Sequence, residues 1–154
     1  MDHRIVDLHV HSTESDGTLT PEDLVAEAKK VGLAAFALTD HDTCQGVCKA
    51  MPCAASAGIE LIPGIDLSTD YHGKEVHIVG LYIDMENEQL LKKTAEYRKC
   101  RSERNALMVE ALQKEGLSIT MEELVAEIPD CVITRAYIAR FLYEHGQIKS
   151  VREA

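Results

Sequence analysis

An α/β fold is predicted for this 154-residue chain, and three observations predict it. Its first half alternates short β-rich runs with helical stretches, the order that builds a sheet through βαβ units. Histidines and aspartates follow directly on those apolar runs, at the strand ends where α/β folds place their sites. After residue 86 the pattern changes to charged helix, so the chain reads as two parts, 1–86 and 87–154.

Residues 4–10 (RIVDLHV) form the first short strand run. The stretch TPEDLVAEAKKVG then opens a helix, with Thr20 as N-cap, Pro21 in the first turn and Gly32 as the stop. Leu24, Val25, Ala28 and Val31 fall on one face of it. AAFAL is a buried strand running straight into TDHD. Residues 45–57 read as helix with Pro52 inside, so a break or kink is expected there. IELIPGIDLST supplies one or two strands and EVHIVGLYID another, joined through the turn-like YHGK. Residues 87–115 read as one long charged helix ending at Gly116. Thr120 and Glu123 have capping-box spacing before a second helix, and Thr134 opens a third that ends near Gly146. Ser150 and Glu153 repeat the capping-box spacing one residue before the sequence stops, which reads as a chain ending in mid-fold.

Composition narrows the function classes. Sixteen basic against 26 acidic residues give a net charge of -10, which argues against sequence-independent grip on nucleic acid. A phosphorylated substrate is compatible with that charge, because bound divalent cations invert the local field. Five cysteines are an odd count without a CxxC pair, so they read as reduced thiols in a cytoplasmic protein. A zinc site on Cys44 and Cys48 is the alternative use of two of them. No apolar h-region opens the sequence and no run is long enough to span a membrane.

The chemistry gathers on a few short motifs. On a strand, side chains two apart face the same way, so His9 and His11 in VDLHVHS point together, with Asp7 on the same face. Asp7 is expected beside the ligands or accepting a ring N–H. Asp40, His41 and Asp42 follow the AAFAL strand. If YHGK makes a tight hairpin, residue 66 lies opposite 79, and Asp66 and His77 become diagonal neighbours on one face. Asp16 sits in the SDG turn, from which a carboxylate can point back over the strand ends. Nitrogen and oxygen ligands without cysteine suit Zn, Mn or Fe, and a shared carboxylate suits two or three ions.

The motifs DLHVHSTESDGTLTPEDLV, ALTDHDT, LIPGIDLST and VHIVGLYID resemble those of the PHP (polymerase and histidinol phosphatase) superfamily, and among its members the stand-alone metal-dependent phosphoesterases most. The resemblance implies a distorted (β/α)7 barrel, here incomplete and carrying a helical segment, with up to three metals at its carboxyl face. It implies hydrolysis of a small phosphorylated substrate, such as a nucleotide, by metal-activated water. By motif, His9 and His11 would bind the first metal, and Asp66 takes the place of a bridging glutamate. His77 would serve the second metal, and Asp16 and His41 the third. Asp7, Asp40 and Asp42 would support these ligands from behind. Arg135 keeps the arginine of the phosphate-contacting turn, and Tyr137 replaces a histidine there. The helical segment would cover the barrel mouth; Arg101 and Arg104 could reach a phosphate from it, or form a solvated charged face. The family's later motifs, His-Pro and Asp-x-His, are not in the sequence. A metal- or nucleotide-binding module without turnover therefore stays open, as does a homo-oligomer in which two chains complete each other's barrel. A polymerase proofreading domain ranks last.

Overall fold

The computed structural model describes residues 5–153, so Arg4, expected at the head of the first strand, lies outside the described residues. Four strands and five helices follow in the order β1 (Ile5–Val10), α1 (Pro21–Lys30), β2 (Leu33–Leu38), α2 (Gln45–Ala57), β3 (Glu60–Tyr71), β4 (Lys74–Leu81), α3 (Glu88–Lys114), α4 (Met121–Glu127) and α5 (Arg135–Glu144). The sheet order is β1-β2-β3-β4. The first three strands are parallel and β4 returns antiparallel to β3.

The local chemistry explains each boundary that matters for the site. Thr20 caps α1 by accepting the Asp23 N–H, and Pro21 occupies the first turn, where a missing N–H costs nothing. Val25 and Ala28 are buried as expected, whereas Val31 is exposed because it is the C-cap, already turning away from the sheet. Helix α2 runs through Pro52 without the expected break. Pro52 lies on the exposed face, so the carbonyl that loses its intrahelical donor can be met by water. The β3–β4 turn places His72 and Gly73 at φ 54° and 76°, the positive pair that a tight two-residue hairpin requires.

Three apolar clusters form among the described residues. One joins α1 and α2 to the sheet through Val25, Phe36, Leu38, Val47, Ala50 and Ala54. Fully buried side chains such as Phe36 and Leu38 each contribute on the order of 1.5–3 kcal/mol. Strand alternation sends Ala35 and Ala37 to the opposite face, where they meet Ile62 and Leu81. The third gathers α3, α4 and α5 with the loops between them, through Val109, Ile119, Leu124, Ile133, Ile138 and Leu142. Polar contacts tie α3 and the segment before α5 to the loops at the strand ends. Val132 N–H donates to the Glu14 carbonyl at 2.9 Å, and Arg101 of α3 reaches the loop after β2. No helix among the described residues is long and apolar enough to cross a membrane.

Candidate metal centre

Strand geometry delivers the central carboxylate. Asp66 pairs with Val79 and Ser68 with His77, so Asp66 and His77 sit diagonally on one face, in the register expected of the hairpin. Beyond Leu38 the chain stays beside β3: Asp66 N–H donates to the Asp40 carbonyl at 3.1 Å and Asp42 N–H to the Asp66 carbonyl at 3.0 Å. That isolated bridge sets His41 level with Asp66. His9 and His11 leave β1 together, their ring centroids 5.0 Å apart.

Asp66 is 2% exposed and faces four imidazoles. Its Oδ2 lies 3.3 Å from His9 Nε2, 3.9 Å from His11 Nε2 and 3.4 Å from His41 Nδ1, while Oδ1 lies 3.0 Å from His77 Nδ1. Asp16 closes the other side, 3.5 Å from His11 Nδ1 and 3.3 Å from His41 Nε2. Gly17 lets the loop fold back this tightly. A Cβ there would fall 2.2 Å from the His11 carbonyl oxygen, so no larger residue fits without moving the strand end.

Among the described residues three triads could hold a metal ion, His9/His11/Asp66, His11/Asp16/His41 and His41/Asp66/His77, each with its candidate ligand atoms within 4.8 Å of one another. The donor set fits divalent ions. His41 Nδ1 is buried without a hydrogen-bond partner, its 3.4 Å approach to Asp66 being too poorly aligned for a bond. An unpartnered buried ring nitrogen is costly unless a ligand takes its lone pair. Titration favours the same forms. Burial, and then the charge of His41, push His11 below its ordinary value against the pull of Asp16 and Asp40. For Asp16, burial acts upward, but the hydrogen bond and charge of His41, then the charge of His11, outweigh it and hold the carboxyl low. Neutral imidazole and ionised carboxylate are the states that ligate metal.

The supporting residues divide. Asp40 accepts from Ser12 N–H at 2.7 Å, Ser12 Oγ at 2.7 Å and Ser15 Oγ at 2.6 Å, so it fixes the loop that carries His11 and Asp16. Gly46 makes room for it, because a Cβ there would lie 2.4 Å from Asp40 Oδ2. Asp42 faces away from the imidazoles. Its Oδ2 accepts Arg101 Nη2 at 2.7 Å and Nε at 3.2 Å, its Oδ1 accepts Ser68 N–H at 3.0 Å, and its φ is 54°. Asp7 accepts the His9 backbone N–H at 3.2 Å rather than a ring N–H, since the carboxylate curls along its own strand.

Tyr137 is a correction. Thr134 caps α5 by accepting the Tyr137 N–H, a phase that turns the ring into the helical core, and its hydroxyl donates to Glu127 at 2.9 Å. Burial, and then that bond, push the phenol far above its usual range. At 3% exposure, with its hydroxyl engaged by Glu127, the ring is part of the helical core. Arg101 is a second correction: at 8% exposure, paired with Asp42, it is no solvated residue. Arg135 ion-pairs with Glu75, and Glu75 lies 3.5 Å from His77. Both line a cleft of about 460 Å³ with Arg101 and Arg104. Ser12, Ser15, Glu75 and Asn105 were not singled out in the sequence. Ser12 and Ser15 lie within four residues of His11, a proximity that could have drawn attention to them. The other two signal themselves only through distant partners, Asn105 by donating to the Ile133 carbonyl at 2.8 Å. All five cysteines are free thiols, and neither Cys44 nor Cys48 joins a metal-ligand group among the described residues.

The PHP domain family model matches residues 7–147. The chain belongs to the PHP domain family. Among PHP relatives it is 36% identical over 97% of its length to the 5'-3' exoribonuclease Rnm of Escherichia coli strain K12, covering 52% of that protein. It is 35% identical over 96% of its length to the 3',5'-nucleoside bisphosphate phosphatase of Chromobacterium violaceum, again covering 52%. A solved structure of a presumed metal-dependent phosphoesterase of Bifidobacterium adolescentis superposes with a TM-score of 0.89 at 32% identity. The match covers 99% of this chain and 54% of that one. The chain thus spans about half the length of the PHP relatives it matches.

Proposed function

We propose that this chain carries the metal-ligating half of a phosphoesterase centre that hydrolyses a small phosphorylated substrate, a nucleotide being the best fit. The observation that carries the reading is Asp66 facing four imidazoles beside the unpartnered His41 Nδ1. Divalent ions held there, Mn, Zn or Fe, would supply the Lewis acidity that phosphate-ester hydrolysis needs. A neutral imidazole has one lone pair, so His11 and His41 cannot each serve two triads at once. His9 and His11 would hold one ion with Asp66, His77 and Asp66 would serve a second, and Asp16 a third, with His41 able to join the second through Nδ1 or the third through Nε2, but not both.

The protein's own part is orientation and charge. Asp40 holds the His11–Asp16 loop, Asp42 ties the strand ends to α3, and Arg104 and Arg135 offer guanidinium groups to a phosphate oxygen from the cleft beside His77. The segment from residue 87 onward forms one wall of that cleft and would shape substrate choice. Relatives that include an exoribonuclease and a bisphosphate phosphatase support two substrate sizes for one chemistry, the 5' end of an RNA or a mononucleotide. The acidic net charge of -10 favours the smaller. Free thiols support a reducing, cytoplasmic setting.

Elemental analysis of the purified chain, followed by assay on nucleoside mono- and bisphosphates and a 5'-phosphorylated oligoribonucleotide with added Mn or Zn, tests this. Metal in a stoichiometry of two or three with release of inorganic phosphate is the expected result. Absence of metal under all loading conditions overturns it. Metal without turnover, persisting when a complementary half of a PHP barrel is supplied, favours a binding module instead.

A further inference from the structure

The cleft beside His77 contains a charge arrangement that the ligand set does not explain. Arg101 is neutralised by Asp42 at 2.7 Å. Arg104 and Arg135 share a single carboxylate, Glu75, whose Oε1 lies 3.9 Å from Arg104 Nη1 while Oε2 accepts from Arg135 Nη2. Arg104 Nε is buried without a partner. Glu75 lies two residues before His77 on β4, so strand alternation puts both on one face, and Oε1 is 3.5 Å from His77 Nε2. One carboxylate thus lies against two guanidinium groups and an imidazole beside the proposed ions.

We propose that Glu75 is a built-in competitor for the phosphate that the two arginines bind. Its carboxylate, held between Arg104 and Arg135, stands where a phosphate group of the substrate docks, and it must swing off them when that group arrives. The device selects by charge. A terminal phosphate, with two negative charges near neutral pH and three equivalent acceptor oxygens, can displace a carboxylate from two arginines, whereas a phosphodiester carries one charge and competes less well. The substrate class that follows is a compound with a terminal phosphomonoester in the arginine cleft. This deepens the phosphoesterase reading and rests on it only for the identity of the ligand. Anion binding to the arginines needs neither turnover nor metal.

The test therefore uses EDTA-treated full chain and titrates inorganic phosphate by calorimetry, comparing wild type with Glu75→Gln, Arg135→Met and the double variant. Glu75→Gln keeps the side-chain volume and removes the charge. It should bind phosphate about tenfold more tightly, the scale of one charge-assisted hydrogen bond no longer competed for. Arg135→Met should bind about tenfold more weakly, and adding Glu75→Gln to it should recover only part of the loss. Unchanged or weaker phosphate binding by Glu75→Gln overturns the proposal. Elemental analysis of the same variant is read alongside. A drop in metal content without tighter phosphate binding would mean that Glu75 positions His77, which also overturns it. If Glu75→Gln does tighten phosphate binding but no metal-dependent hydrolysis is ever found, the competitor stands and the phosphoesterase reading falls.

Discussion

Removing the guanidinium of Arg101 should destabilise the protein far more than an ordinary helix-surface substitution. Arg101 is 8% exposed and Asp42 1%, so neither charge has water to fall back on. In Arg101→Met the aliphatic length remains, but Asp42 Oδ2 loses both of its donors at 2.7 and 3.2 Å, and Ser68 Oγ loses a donor at 2.5 Å. Asp42 Oδ1 keeps the Ser68 N–H. A buried carboxylate left half-satisfied costs about 3–5 kcal/mol, a large part of the roughly 5–15 kcal/mol that stabilises a typical domain. For a chain of this size that corresponds to a fall in Tm of roughly 6–20 °C. Urea unfolding followed by circular dichroism reads the loss directly. The double variant Asp42→Asn/Arg101→Met removes both charges and should lose less than the sum of the singles, with a coupling of roughly 0.5–3 kcal/mol. Arg101→Lys should recover only part, because one ammonium cannot reproduce the forked contact to Asp42 and Ser68. A single-variant cost below about 1 kcal/mol would refute the reasoning, since that is the range of an exposed pair.

The other expectations concern the centre itself. Asp66→Asn should abolish metal retention measured by elemental analysis while leaving the far-ultraviolet circular dichroism unchanged, because the residue faces the imidazoles and not the apolar core. Gly46→Ala would set a Cβ 2.4 Å from Asp40 Oδ2 and should lower metal affinity about 10–100-fold, the scale of a lost supporting contact, in a competition titration with a chelator. The metal-free protein should lose thermal stability as pH falls. His11 titrates below the ordinary 6.5 in the folded chain, so its contribution is complete above that pH and drains away as pH drops through it towards the folded value, and His11→Asn should flatten this part of the profile. Asp16 adds a second loss at lower pH, below its ordinary 3.8. Burial, and then Cys48, push the Cys44 thiol up to about 11, so at pH 8 iodoacetamide should label it more slowly than the exposed Cys48 and Cys100, as peptide mass spectrometry would show.

What could be read from the sequence was whatever depends on near neighbours. The hairpin register follows from a two-residue turn and the period of a strand, and with it the diagonal meeting of Asp66 and His77. The return of Asp16 over the strand end follows from a turn whose Gly17 leaves no room for a side chain. Helix α3 shows the opposite case. Its buried residues are Thr94, Arg101, Asn105 and Val109, three of them polar, so no apolar stripe marks the inward face. Arg101 is inside because Asp42, 59 positions earlier, is there to receive it, and no local pattern encodes that pairing. Tyr137 failed for a different reason, since its own helix carried the answer. Ile138, Phe141 and Leu142 form an apolar stripe with it at helical spacing, and the Thr134 cap sets the phase. The stripe decides where the Tyr137 ring goes, whatever motif position the residue occupies. Helical phase is a constraint that every residue of the helix obeys at once, whereas a motif match at one position constrains only that position. Where the two conflict, the phase should be weighed first. On that ground the phase of α5 leaves Arg135 at its exposed start, paired with Glu75 at the cleft, while it turns Tyr137 into the helical core.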